Sequence, residues 1–329
     1  MTSPLQFARR LAIASVLAAS LTAQAQTWPE RPVRMIVPFP AGGATDLIAR
    51  VIAQKVSGDI GQQIIVDNKA GAGGTIGTGE AAKGPPDGYT LLLTTSSTHA
   101  ISPHLMPKLP YDPVRDFTPI AHLADAANVL LVTLSLPVKT VPELIDYAKA
   151  HPKELNYATS GNGTIVHLTT EAFNAQAGIS MTHVPYKGTA LSIPDLVSGQ
   201  VQVLFDSIPT GMPHVKSGKL RALAVTGDKR SAIAPDLPTV AEAGLPGFSS
   251  ITWFGLYGPK GMNADLVTRI HDAFEKAAHA PGVVDSLAKL GVEPAPEGTP
   301  AQFAKMVAAD SDKWARVIRE RHISLEPSK

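Results

Sequence analysis

The stretch VRMIVPFPAGGATDLIARVIAQKV, residues 33–56, decides how this chain folds. Residues 33–37 form a short β-rich run bounded by Pro32 and Pro38. Pro40-Ala41-Gly42-Gly43-Ala44-Thr45-Asp46 breaks that run. Leu47, Ile48, Val51, Ile52 and Val56 then recur on one face at helical spacing. Further on, residues 63–67 read as a second strand. A glycine-rich stretch, Gly71 to Gly79, leads into a short helix through Ala82. Asp87-Gly88 turns the chain into a third strand, 89–94. Strands alternating with helices in this order predict a parallel sheet with right-handed crossovers.

The same logic recurs. Thr140-Val141-Pro142-Glu143 is a capping box that opens a helix through Ala150. Strands are expected at 155–158, 181–186, 201–205 and 220–225, and helices at 165–176 and 190–197. Residues 127–248 thus repeat the architecture of 33–124, with no repeat in the sequence itself. Three helices follow, over 264–278, 282–290 and 300–321, and are expected to dock back on the first unit. The chain then crosses between two lobes near 126–128 and 249–253. Two crossings make a hinge, with a cleft between the lobes.

Composition agrees with two globular domains. The chain has 329 residues, 44% hydrophobic and 17% charged, too long for one compact core and too apolar for disorder. Residues 1–25 read as a signal peptide: Arg9 and Arg10, an apolar run, and Ala23-Gln24-Ala25 as a small-x-small cleavage site. Its removal leaves 27 basic and 28 acidic residues, so neither nucleic acid nor an anionic membrane is indicated as a partner. The absence of cysteine rules out disulfides and a lipid-bearing thiol. The expected location is the periplasm.

Four loops lie where strands of an open parallel sheet end, the usual place for a ligand. The first is Ala41 to Asp46, with Phe39 just before it. Its glycines let the backbone approach a ligand, and the helix behind it offers first-turn amides and the positive end of a dipole. A carboxylate can be held there without arginine. The second contains Thr94 and Thr95, then Ser96, Ser97 and Thr98. The third, Ser160-Gly161-Asn162-Gly163-Thr164, mirrors the first in the second unit. The fourth holds Lys187 and Gly188. Each is also readable as a plain turn. His167 is open to a capping role, Lys187 to a surface role, and Asp206 to capping the turn before Pro209 or orienting an ammonium or hydroxyl of a solute. On this reading Gly43→Pro abolishes binding by removing an amide and obstructing the loop. Gly77 to Ala82 matches a dinucleotide fingerprint poorly, because the preceding strand ends ten residues earlier. No nucleophile elbow, P-loop or zinc motif is present, and no cofactor or metal site is expected.

The chain resembles the Bug family of periplasmic solute-binding proteins, which serve tripartite tricarboxylate transporters. The resemblance runs through Trp28-Pro29, Pro40 to Asp46, Gly71-Ala72-Gly73-Gly74, Pro86 to Thr90, Ser160 to Thr164, His167-Leu168, Val184 to Gly188, Asp206, Leu237-Pro238-Thr239 and Trp253. It departs at Lys69-Ala70, Thr75 and Ser192, where the family often has Arg-Pro, Asn and Pro. It implies an α/β, two-lobed periplasmic-binding-protein fold of the Venus flytrap, type II kind, each lobe a mainly parallel sheet flanked by helices. Lobe 1 would take residues 26–126 plus 252–329, and lobe 2 residues 127–251. It implies that main-chain amides, hydroxyls and waters grip a small carboxylate solute. The partners it implies are the permease subunits of a membrane transporter, served by a monomer that is not an enzyme. A periplasmic sensor and a secreted enzyme acting on a small acid remain alternatives, and the identity of the carboxylate stays open.

Overall fold

The computed structural model describes residues 28–106, 108–320 and 323; the expected signal peptide lies outside them. The first unit starts as the opening stretch predicts. Strand β1 (Val33–Val37) runs into α1 (Ala44–Ile60), then β2 (Ile64–Asn68), α2 (Thr75–Ala81) and β3 (Thr90–Thr95). Strand β1 pairs in parallel with β2, Val33 opposite Ile64, and with β3, Met35 opposite Leu91. Side chains alternate across a strand. Met35 and Val37 therefore pack with Ile48, Ile52 and Val56 of α1 in one core, while Ile36 enters a second core on the other face. Burial on both faces explains why β1 reads as a largely apolar run, interrupted by Arg34, which is half-buried and pairs with Asp67 and Glu80. Helix α1 ends at Gly61, whose φ of 71° turns its amide back to Ser57 O.

The second unit comprises α4 (Val141–Ala150), β5 (Asn156–Thr159), α5 (Ile165–Ala177), β6 (Thr182–Pro185), α6 (Ile193–Ser198), β7 (Val203–Ser207), α7 (Ile208–Lys216) and β8 (Leu220–Val225). Between the units, a π-type turn at Ser97–Ile101 and a short turn of helix, α3 (Ser102–Leu105), precede a 17-residue strand, β4 (Phe117–Thr133). Strand β9 (Ile251–Pro259) follows the second unit, then α8 (Ala264–Ala278), α9 (Pro281–Leu290), β10 (Glu293–Pro294) and α10 (Pro300–Glu320).

Three strands escape the sequence reading, the two-residue β10 and the longer β4 and β9, and the longer two reshape the sheet. Its order is β2-β1-β3-β9-β4-β7-β5-β6, with β8 and β10 also on β4. Pairing is parallel towards the ends, at β2-β1-β3 and β7-β5-β6, but antiparallel through the middle at β3-β9, β9-β4 and β4-β7. The mainly parallel sheets expected are thus mixed sheets joined through β4. Strand β4 is disguised by Pro119 and by register shifts at Pro119/Ala121 and His122/Ala124, features that weaken a strand signal. Strand β9 is disguised by Gly255 and Gly258. A Cβ on Gly255 would lie 2.2 Å from Phe303 Cζ, so glycine there admits helix α10.

Strand β4 also carries the chain across the molecule. Ala127 still pairs with Ile251, and the next residue, Asn128, pairs with Ser207. The return passage is tied to it: Thr226 Oγ1 donates to Ser250 O at 2.6 Å and accepts from Asn128 N at 2.8 Å. Helix α10 closes against the first unit. Trp253 Nε1 donates to Asp310 Oδ2 at 2.8 Å, and His104 Nε2 meets Ser311 Oγ at 2.7 Å. No helix among the described residues is long and apolar enough to cross a membrane.

Candidate functional site

The first glycine loop is built as a rigid collar. Gly42 has a φ of 78°, which suits glycine, and its amide donates to Asp46 Oδ2 at 2.9 Å. Arg50, one turn along α1, pairs with Asp46 at 2.9 Å. Asn68 Nδ2 donates to Phe39 O at 3.1 Å. Burial works against the Asp46 carboxylate, but Arg50, the Gly42 amide and Asn68 outweigh it and hold its carboxyl below the usual range. Gly43 caps α1, and its own amide donates to Pro40 O at 3.2 Å. That amide is therefore engaged inside the loop, which removes one of the two expected reasons for Gly43→Pro to abolish binding and leaves obstruction of the loop as the other. The next amides, of Ala44 and Thr45, have no carbonyl four residues back within the helix. Both residues line a small cavity.

The opposite wall repeats the arrangement. Gly161 and Gly163 have φ of 126° and 72°. Thr164 caps α5, with Oγ1 donating to Gly161 O at 2.8 Å and accepting from His167 N at 3.4 Å. Ile165 and Val166, the first two residues of α5, line the same cavity. Two helix N-termini from different halves of the chain thus converge, and each favours negative charge. The halves touch at several points. Ile165 N donates to Ser97 Oγ at 3.0 Å. A Cβ on Gly73 would lie 2.7 Å from Asn162 O, and one on Gly188 2.6 Å from Pro40 Cγ. This is a closed arrangement.

The cavity has a volume of about 60 Å³. Its hydroxyls come from Thr45, Thr95, Ser97, Ser160, Thr189, Ser207 and Thr252, and its apolar surface from Phe39, Pro40, Ala190, Phe254 and the two α5 residues; no lysine or arginine among the described residues lines it. Asp206, near the end of β7, is 1% exposed and also lines it. Its Oδ1 accepts from Ser207 N at 2.9 Å, while Oδ2 has no well-formed partner among the described residues. Burial raises its pKa, although Thr189, Thr210, the Ser207 amide and His214 favour the anion. Thr252 Oγ1 is likewise buried without a partner.

Of the expected contacts, the structure brings Phe39, Gly43, Ala44, Thr45, Ser97, Ser160, Gly188 and Asp206 to the cavity. Ala41, Gly42, Asp46, Ser96, Thr98, Gly161, Asn162, Gly163, Thr164, His167 and Lys187 are not on its wall. Gly42, Asp46, Gly161 and Thr164 instead shape the two collars. Thr98 is engaged with Thr94, at 2.7 Å, and with His99. His167 packs inward. Its ring stacks on His183 at 4.2 Å, its Nδ1 accepts from Gly163 N, and burial followed by the neighbouring His183 lowers its pKa to about 3. Lys187 is exposed. Sequence reasoning missed Ile165 and Val166, although the cap logic applied to Ala44 and Thr45 reaches them. It also missed Thr252 and Phe254, because their strand was not recognised. The glycines of the poor dinucleotide match serve packing: a Cβ on Gly77 would lie 2.6 Å from Lys69 O.

Residues 48–323 match the protein family described as tripartite tricarboxylate transporter family receptor. The structure is similar to that of the periplasmic binding protein BugD, with a TM-score of 0.86 and 33% identity over 90% of this chain and 99% of that one. It is similar to Rpa4515 of R. palustris with adipate, with a TM-score of 0.88 and 38% identity over 90% and 99% of the two chains. It is also similar to MatC from Rhodopseudomonas palustris with bound malate, with a TM-score of 0.84 and 35% identity over 88% and 100%.

Proposed function

The chain belongs to the tripartite tricarboxylate transporter receptor family, and from that premise we propose that the cavity between its halves is where a small carboxylate solute is held for delivery to the permease subunits of a transporter. The observation that carries this reading is the meeting of two helix N-termini, at Ala44-Thr45 and Ile165-Val166, on one cavity without a lysine or arginine. Backbone amides and hydroxyls grip the carboxylate, and the flanking Gly42–Asp46 and Gly161–Thr164 hydrogen bonds keep those amides aimed before the solute arrives. Preorganisation of this kind lowers the cost of binding. Solute-bound relatives with adipate and with malate support a carboxylate as ligand. Residues 26–126 with 252–329 move as one lobe and 127–251 as the other, bending where β4 passes from Ala127 to Asn128 and where Ser250 meets Thr226. The protein works as a monomer in the periplasm, with residues 1–25 as its export signal.

Ala44→Pro tests the grip. Proline is at home in the first position of a helix, and Gly43, at φ −77° and ψ 165°, already has the geometry a following proline demands. The change deletes one amide from the cavity wall and leaves the helix intact. A hydrogen bond to a charged group contributes about 1.5–3 kcal/mol, so calorimetry should show affinity for the best carboxylate of a panel falling about 10- to 100-fold. Unchanged affinity would remove α1 from the site.

A further inference from the structure

We propose that Asp206, with Thr252, selects among carboxylates for solutes that carry a hydroxyl close to the carboxylate, and disfavours acids that offer acceptors alone. The inference rests on the carboxylate reading above and narrows it. Asp206 sits near the end of β7, opposite Val129 of β4, and lines the same cavity as Ala44 and Thr45. Its Oδ1 is satisfied by the Ser207 amide, while Oδ2 lacks a well-formed partner. The Thr210 hydroxyl nearby already donates to Ser207 O, at 3.0 Å, and Thr189, on the same wall, favours the Asp206 anion without a well-formed bond to Oδ2. A buried acceptor left open is costly, and most such groups have a partner.

An ionised carboxylate can only accept. A solute placing a second carboxylate against Asp206 would set two negative charges together in a desolvated space, where one must take up a proton. No cationic side chain among the described residues lines the wall to relieve that repulsion. A hydroxyl avoids the conflict by donating to Asp206 Oδ2. Its oxygen can in turn accept from Thr252 Oγ1, the other unpartnered buried atom on a residue of this wall. An ammonium could meet Asp206, but it has no lone pair for Thr252, so the pair favours a hydroxyl. Asp206 and Thr252 share one small cavity, of about 60 Å³, with the helix ends at Ala44 and Thr45. That places the hydroxyl within a bond or two of the carboxylate held at the helix ends, as in a 2-hydroxy acid.

Calorimetry on the mature protein decides the matter with matched pairs: malate against succinate, and 2-hydroxyglutarate against glutarate. The expected result is at least a tenfold preference for the hydroxy member of the pair that binds. Asp206→Asn, which keeps an acceptor for the Ser207 amide and places a donor at the second position, should reduce that preference to under threefold. Thr252→Val, independent of any folding defect at Asp206, should weaken the hydroxy acid alone. Equal affinity within a pair in the wild type, or a preference that survives both substitutions, would overturn this inference and leave the carboxylate reading standing. Absence of binding by every acid would overturn both.

Discussion

At the scale of single residues, the cavity is a place where the protein tolerates unfavourable groups. Asp206 is buried with one oxygen open, and its pKa is raised chiefly by burial. A carboxyl whose folded pKa lies above its unfolded value contributes stability below the unfolded value and loses it as pH rises through the folded one. Above the ordinary carboxylate range the group therefore weakens the unliganded protein. Asp206→Asn should raise the stability of the unliganded protein by about 1–3 kcal/mol, a gain of several degrees in melting temperature. The gap should close as pH is lowered into the ordinary carboxylate range. A variant that melts lower than the wild type at neutral pH would show that the open oxygen carries no cost. With the expected gain, the residue combines a stability cost with selectivity, a trade familiar at binding sites. Its place at the cavity was legible from the sequence as a strand-end aspartate. Its open oxygen was not, because that depends on where Ser207, Thr189 and Thr210 fall in space.

At the scale of elements, capping chemistry was the most legible feature. Thr140 receives the amide of Glu143 as the capping box predicts, although Glu143 Oε2 accepts from Lys139 N rather than from Thr140. Helices α1 and α5 start where their glycine loops indicate. The strands β4 and β9 were illegible for a common reason: glycine, proline and bulges inside them answer to neighbours that are remote in sequence. Gly255 faces the Phe303 ring of α10, 48 residues later in the chain. Gly255→Ala should therefore destabilise the protein by about 1–3 kcal/mol through overpacking, read as a lower urea midpoint. In the Phe303→Ala background the added methyl should cost much less, so the double-mutant cycle should return a clear coupling energy. Additive effects would show that the glycine answers to something else.

At the scale of the whole molecule, the closed arrangement depends on close backbone approach between halves. Gly73 has a φ of 64° and faces the carbonyl of Asn162, and Gly188 faces Pro40. An added Cβ at either would collide, at 2.7 Å and 2.6 Å. Gly188→Ala and Gly73→Ala should hold the halves apart. Solute affinity should fall by about tenfold or more for a loss of ~1.4 kcal/mol. Small-angle scattering should show the solute-bound variants remaining more open than the wild type. Wild-type affinity together with wild-type compaction in both variants would rule out these contacts as the closing surface.

The sequence alone determined the α/β alternation, the two glycine collars at helix starts and the family resemblance. These are local: a glycine's freedom, a cap and a periodic apolar face act within a few residues of one another. The tertiary structure alone decided which amides face the cavity, that Gly43 is engaged within its own loop, that His167 turns inward, and that β9 supplies Thr252 and Phe254. These outcomes depend on which distant segments become neighbours in an interior packed without voids, and no local pattern encodes that choice.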